Sequence, residues 1–264
     1  MTRYANMFTR LREANEGAFG AFVMLGDPDL DASAAILDAL VEGGADMLEV
    51  GIPFSDPVAD GPVIQAAAER ALAAGVTPAD CFALLKAFRA RHPEVPVGIL
   101  TYANIVVARG RGHFYQAAAD AGVDSVLVAD VPSFEAKPFA AEARRHGVDP
   151  VLIAAQNTPS HTLEEAARLG GGYTYCVARA GVTGSAEAEF NHGELVDTLK
   201  GFDAPPTVLG FGISRPDHVR DALASGAAGV ISGSAIVRLI QDSGAEWKTP
   251  VLAFLAEMKA ATRS

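Results

Sequence analysis

Short apolar runs alternate with longer amphipathic stretches along nearly the whole chain. Residues 21–25, 47–50, 97–101, 125–129, 151–154, 173–177, 207–210 and 229–232 are runs rich in Val, Ile, Leu, Ala and Gly. They are almost continuously apolar, the pattern of parallel strands buried on both faces. Helical spacing is expected at residues 32–42, 63–74, 78–91, 113–121, 134–146, 162–169, 193–200, 217–224 and 234–240. An extra helix is expected at residues 3–15, before the first strand, and a last one near 250–261. In the 32–42 segment Ile36, Leu37, Leu40 and Val41 fall on one face, and Gly43-Gly44 ends it. Gly44-Ala45-Asp46, Gly122-Val123-Asp124 and Gly147-Val148-Asp149 each close a helix and precede a strand. Gly226-Ala227-Ala228 does much the same.

Eight strand–helix units in 264 residues allow about 33 residues per unit, the size of an eight-fold β/α barrel. The fold expected is α/β, a TIM barrel with an added N-terminal helix, with residues 1–264 as one domain; no linker or low-complexity tract marks a second. An open doubly wound sheet shares the alternation, but eight units and the lack of a GxGxxG after strand one disfavour it. The formal net charge of −11 comes with no basic block, which argues against nucleic acid or an anionic membrane as partner. No run approaches the ~20 apolar residues that span a bilayer, and the first residues lack an apolar signal core. Two cysteines, Cys81 and Cys176, offer no disulfide framework and point to a reducing, cytoplasmic setting.

Candidate chemistry gathers after strand two. Residues 48–65 read Leu-Glu-Val-Gly-Ile-Pro-Phe-Ser-Asp-Pro-Val-Ala-Asp-Gly-Pro-Val-Ile-Gln. An acid on a barrel strand followed by a stiff acidic loop is where such a fold places catalysis. Glu49, between Leu48 and Val50, is expected to enter an apolar barrel mouth. Desolvation there would raise its pKa and let it give and take a proton near neutral pH. Asp60, beside Gly61-Pro62, is expected in a wetter place and ionised, so the two carboxylates would divide acid/base and electrostatic work. Structural roles stay open for the aspartates: Asp60 as a helix-start acid, Asp56 before Pro57 as turn chemistry.

Late in the chain come Gly181-Val182-Thr183-Gly184, Gly210-Phe211-Gly212-Ile213-Ser214 and Ser232-Gly233-Ser234. The last two follow strands seven and eight, where barrels bind phosphate on backbone N–H groups and a helix N-terminus. The six histidines lie on expected helices and loops, none at a strand end. No Cys/His spacing points to a metal, and no G-x-S-x-G elbow is present.

The run from Glu49 to Pro62 resembles the signature of the tryptophan synthase alpha chain. So do Leu25-Gly26-Asp27-Pro28, Tyr102-Ala103-Asn104, Asp130-Val131-Pro132, Arg179-Ala180-Gly181-Val182-Thr183-Gly184, Gly210-Phe211-Gly212-Ile213-Ser214 and Ser232-Gly233-Ser234-Ala235-Ile236-Val237, in the family's order. The resemblance implies retro-aldol cleavage of indole-3-glycerol phosphate in a β/α barrel, as part of tryptophan biosynthesis. Glu49 matches the acid/base, and Asp60 the carboxylate that holds the indole N–H. Phe22, Leu100, Leu127, Ile153 and Ile231 would wall an indole slot, with Tyr175 flanking Glu49. Gly184, Phe211, Gly212, Gly233 and Ser234 would hold phosphate, and Thr183 matches the loop that closes near Asp60. It also implies an α2β2 assembly with a beta chain that carries pyridoxal phosphate, this chain needing no cofactor. Pro53, an exposed Phe54, Asp56, Asn104 and Pro132 match the surface that meets it. Ala180, Ala155-Gln156 and the acidic residues 187–189 depart from the usual pattern. A stand-alone lyase and a non-catalytic activator of a beta chain are the alternative readings.

Overall fold

The computed structural model describes residues 1–177 and 192–263. Its strands are β1 (Ala18–Met24), β2 (Met47–Gly51), β3 (Val97–Thr101), β4 (Ser125–Val128), β5 (Asp149–Pro150), β6 (Leu152–Ala154), β7 (Thr174–Val177), β8 (Thr207–Gly210) and β9 (Gly229–Ser232). They form one parallel sheet in the order β5-β4-β3-β2-β1-β9-β8-β7-β6. β5 and β6 are two halves of one barrel position, interrupted at Val151. The first half pairs with β4 and the second with β7, while the Val151 N–H donates to the Val126 carbonyl. Eight positions thus close the ring, and no open edge is left along most of it.

The helices are α1 (Arg3–Glu13), α2 (Leu30–Glu42), α3 (Pro62–Ala73), α4 (Pro78–Arg91), α5 (Ala103–Val107), α6 (Arg111–Asp120), α7 (Ala136–Arg145), α8 (Ser160–Leu169), α9 (His192–Gly201), α10 (Pro216–Ala224), α11 (Ser234–Ser243) and α12 (Lys248–Ala260). β1 starts three residues earlier than the pattern suggests. Gly20, among the added residues, is an inward position where a Cβ would press on Ile231 and Met47. The helix expected from residue 134 instead begins as a 3-10 turn, Ser133–Glu135, which leaves Phe134 78% exposed. The short α5 was not foreseen, because five residues carry too little periodicity to register. No single helix among the described residues is long and apolar enough to cross a membrane.

The Gly-Xaa-Asp repeats become clasps on the N-terminal face of the barrel. Gly44, Gly122, Gly147 and Gly226 all have positive φ, which ends the preceding helix. Asp46 then accepts the Phe19 N–H and pairs with Lys259 and Arg10. Asp124 accepts the Val97 N–H and pairs with Arg89 and Arg3. Each clasp ties a strand to its neighbour and to a helix. α1 plugs this end: Tyr4 is buried, with its hydroxyl 2.9 Å from Ser125 Oγ and its ring 5.4 Å from that of Tyr173.

Candidate active site

Strand register decides which side chains face the barrel interior, since parallel neighbours in register share a face. Phe22 pairs with Glu49, Glu49 with Gly98, Leu100 with Leu127, Ile153 with Tyr175, and Gly20 with Ile231. Glu49 therefore points inward with Phe22, Leu100, Leu127, Ile153, Tyr175 and Ile231. Leu48 and Val50 are buried towards the helices.

The Glu49 carboxylate is 2% exposed and accepts the Tyr173 hydroxyl at 2.7 Å. Burial lifts its pKa from the usual 4.5 to about 7; the Tyr173 bond pulls against that rise and the Asp60 charge adds to it. Gly98 makes room for this arrangement, because a Cβ there would crowd Ser125 Oγ and the Tyr4 hydroxyl. Tyr175, expected to flank Glu49, has its pKa pushed up first by burial and then by the nearby Glu49 charge. The direct partner is nonetheless Tyr173. Two tyrosines of the same parity are indistinguishable by pattern, and only the plugged end of the barrel brings Tyr173 under the acid.

Asp60 lies on the loop between β2 and α3. The helix takes Gly61 as its N-cap, and the Asp60 carboxylate meets the Tyr102 hydroxyl instead. Burial raises the Asp60 pKa and Tyr102 opposes the rise, so the site is drier than the expected open loop. Tyr102 is itself pushed far up, chiefly by burial and then by the Asp60 charge, and so keeps its proton and donates it. It also accepts the Ala59 N–H at 3.2 Å, while Gln65 Nε2 holds the Asp60 backbone carbonyl at 2.8 Å. Phe54 is not exposed as expected: it is half-buried, stacked on Tyr102 with ring centroids 5.2 Å apart. Folding back hides its apolar face from water. Pro53 is buried as well, whereas Asp56, Asn104 and Pro132 are exposed.

Across the mouth, the turn after β8 carries Phe211 at φ +65 and Gly212 at φ +78, both in the left-handed region. Phe211 is 42% exposed, with its ring edge-on to Tyr175. The turn after β9 packs Gly233 against Phe22, and Ser232 Oγ donates to the Ile213 carbonyl at 2.6 Å, joining the two turns. α11 starts at exposed Ser234 with no side-chain cap, so its first N–H groups and dipole are available to an anion. Thr183 and Gly184, with Ala180 and residues 187–189, lie outside the described residues. Among the described residues no group of three or more His, Cys, Asp or Glu could hold a metal ion.

The family model described as tryptophan synthase alpha chain matches residues 8–263. The chain belongs to that family. A tryptophan synthase alpha chain from Shewanella amazonensis is 54% identical over 99% of this chain and all of its own length. One from Aeromonas hydrophila is 57% identical over 91% of this chain and 90% of its own. A tryptophan synthase structure from Mycobacterium tuberculosis superposes with a TM-score of 0.90 at 30% identity, covering 100% of this chain and 99% of that one. The tryptophan synthase a2b2 complex of Pyrococcus furiosus gives 0.82 at 35% identity, over 92% and 97%. Against this tryptophan synthase alpha frame, the residues missed by sequence reasoning are Tyr173, Tyr102 and Gln65. Tyr102 belongs to a quoted motif, but nothing in its neighbours signals a bond to a carboxylate forty-two positions earlier.

Proposed function

We propose that this chain is the alpha subunit of a tryptophan synthase and acts as a carbon–carbon lyase, splitting indole-3-glycerol phosphate into indole and glyceraldehyde 3-phosphate. The observation that carries the reading is Glu49, a buried carboxylate with a pKa of about 7 in an apolar barrel mouth. Burying an ionised acid costs several kcal/mol unless it is paired or neutralised, and a pKa near 7 serves proton transfer in both directions. A non-catalytic activator would have no use for such a group.

Protonated Glu49 gives its proton to indole C3, and the ring becomes an indolenine whose positive charge lies on the N–H. Asp60 accepts that N–H and offsets the charge, with Tyr102 holding the carboxylate in place. The Glu49 carboxylate then takes the proton of the glycerol hydroxyl next to the ring. As the carbonyl forms, the carbon–carbon bond breaks and its electrons return to the indole ring. Glu49 ends protonated, as it began. Phe22, Leu100, Leu127, Ile153 and Ile231 wall the ring, while Phe211, Gly212, Gly233 and Ser234 hold phosphate at the start of α11.

The partner is a beta chain in an α2β2 assembly. Support comes from the a2b2 complex among the structural neighbours and from the barrel's C-terminal end, where Asp56, Asn104, Pro132 and the 81%-exposed Val58 crowd onto adjoining loops. The reading is tested by supplying the purified chain with indole-3-glycerol phosphate, with and without a beta chain. Indole and glyceraldehyde 3-phosphate should appear in equal amounts; neither appearing under either condition would overturn it.

A further inference from the structure

Outside the site, Arg70 joins three elements that each carry a part of it. Its guanidinium grips Asp27 with two parallel bonds, Nε to Oδ1 at 2.7 Å and Nη2 to Oδ2 at 2.8 Å. Its Nη1 donates to Gln241 Oε1 at 3.2 Å. Asp27 is on the loop after β1 and only 6% exposed, Arg70 is in the last turn of α3, and Gln241 is in the last turn of α11. Followed away from this clamp, β1 leads back to Phe22. α3 leads to Gln65, which holds the Asp60 carbonyl, and α11 leads to Ser234. The clamp touches neither Glu49 nor Asp60 nor the phosphate turns, yet it ties together the loop after β1 and the last turns of α3 and α11, the elements that lead to Phe22, Gln65 and Ser234.

We propose that Arg70 is a positioning residue: its fork on Asp27 and its bond to Gln241 set the span between Asp60, where the indole N–H binds, and the start of α11, where phosphate binds. The inference rests on the lyase reading above. Its physical content is one of linkage. A substrate that carries indole and phosphate on one short chain gains from both half-sites only if their spacing matches it. Loosening the clamp leaves each half-site whole and removes the match. A planar bidentate fork can impose such a spacing, and an ammonium, a point charge on a flexible stem, cannot.

Three variants separate this from ordinary structural support. Arg70→Met strands the Asp27 carboxylate in a buried place and should lower Tm. The double variant Asp27→Asn with Arg70→Met removes the stranded charge and should return Tm close to wild type. Arg70→Lys keeps the charge without the fork. Indole alone and glycerol 3-phosphate alone should bind every variant within about twofold of wild type, since neither spans the two half-sites. The KM for indole-3-glycerol phosphate should rise about 10-fold or more in Arg70→Met and in the double variant, with Arg70→Lys between these and wild type. A double variant with recovered Tm and wild-type kinetic constants would overturn the inference, as would separate ligands weakening as much as the linked substrate. A wild-type chain that binds both separate ligands but cleaves nothing would overturn the lyase reading and this inference with it.

Discussion

At the scale of the residue, Glu49 makes the fold sensitive to pH in a direction that can be worked out. Its pKa is about 7 in the fold against 4.5 for an ordinary glutamate. A raised carboxyl pKa means that the fold favours the protonated form. The associated stability is fully present below pH 4.5, falls as pH rises towards 7, and is lost above it. The shift corresponds to roughly 3 kcal/mol. Glu49→Gln stays neutral throughout and still offers an oxygen to the Tyr173 hydroxyl. Denaturation midpoints should therefore match wild type near pH 4.5 and favour the variant by up to ~3 kcal/mol at pH 8. Equal midpoints at both pH values would show that Glu49 is not held protonated by burial.

At the scale of the element, the turns proposed to hold phosphate lend themselves to a test by charge. Gly233 is a poor place for it, because a Cβ there would meet Phe22 Cδ1 at 3.2 Å and Cβ at 3.3 Å and disturb the proposed indole wall as well. Ser234 is better. It opens α11 and is exposed, and an acid at a helix start is favourable to the helix while repelling a bound dianion. Ser234→Asp should hold or raise Tm, leave indole binding unchanged, and raise the KM of indole-3-glycerol phosphate by at least ~10-fold. Unchanged KM would move the phosphate elsewhere. The strands, the helix-ending glycines and the entry of Glu49 into the barrel mouth were legible in the sequence, because they depend on local pattern and punctuation. The inward places of Phe22, Leu100 and Leu127 came only from the family resemblance, since near-continuous apolar runs carry no parity. What was not legible is contact across the ring. Tyr173 under Glu49, Tyr102 on Asp60, Phe54 stacked on Tyr102 and the Arg70 clamp each join positions far apart in the chain. Only closure of the barrel creates them, and α1 with its buried Tyr4 settles which of two equivalent tyrosines meets the acid.

At the scale of the whole molecule, one end of the barrel is built for hold and the other for exchange. Clasps by Asp46 and Asp124 brace the N-terminal face, while the C-terminal face carries the acid, the anion-receptive helix start and exposed Asp56, Asn104 and Pro132. Phe54 stacked on Tyr102, which holds Asp60, gives a docking partner a short physical route to the carboxylate. A beta chain should therefore raise cleavage several-fold, a coupling of ~1–3 kcal/mol, and Asp56→Ala should remove most of that rise. Binding of a beta chain with no change in rate would break this link. The central claim is that Glu49 moves both protons, and its most direct test is the turnover of Glu49→Gln with indole-3-glycerol phosphate, measured beside substrate binding. The amide neither gives nor takes the proton, so cleavage should fall by at least ~10² while substrate still binds. A variant that kept a tenth of wild-type turnover would contradict the account.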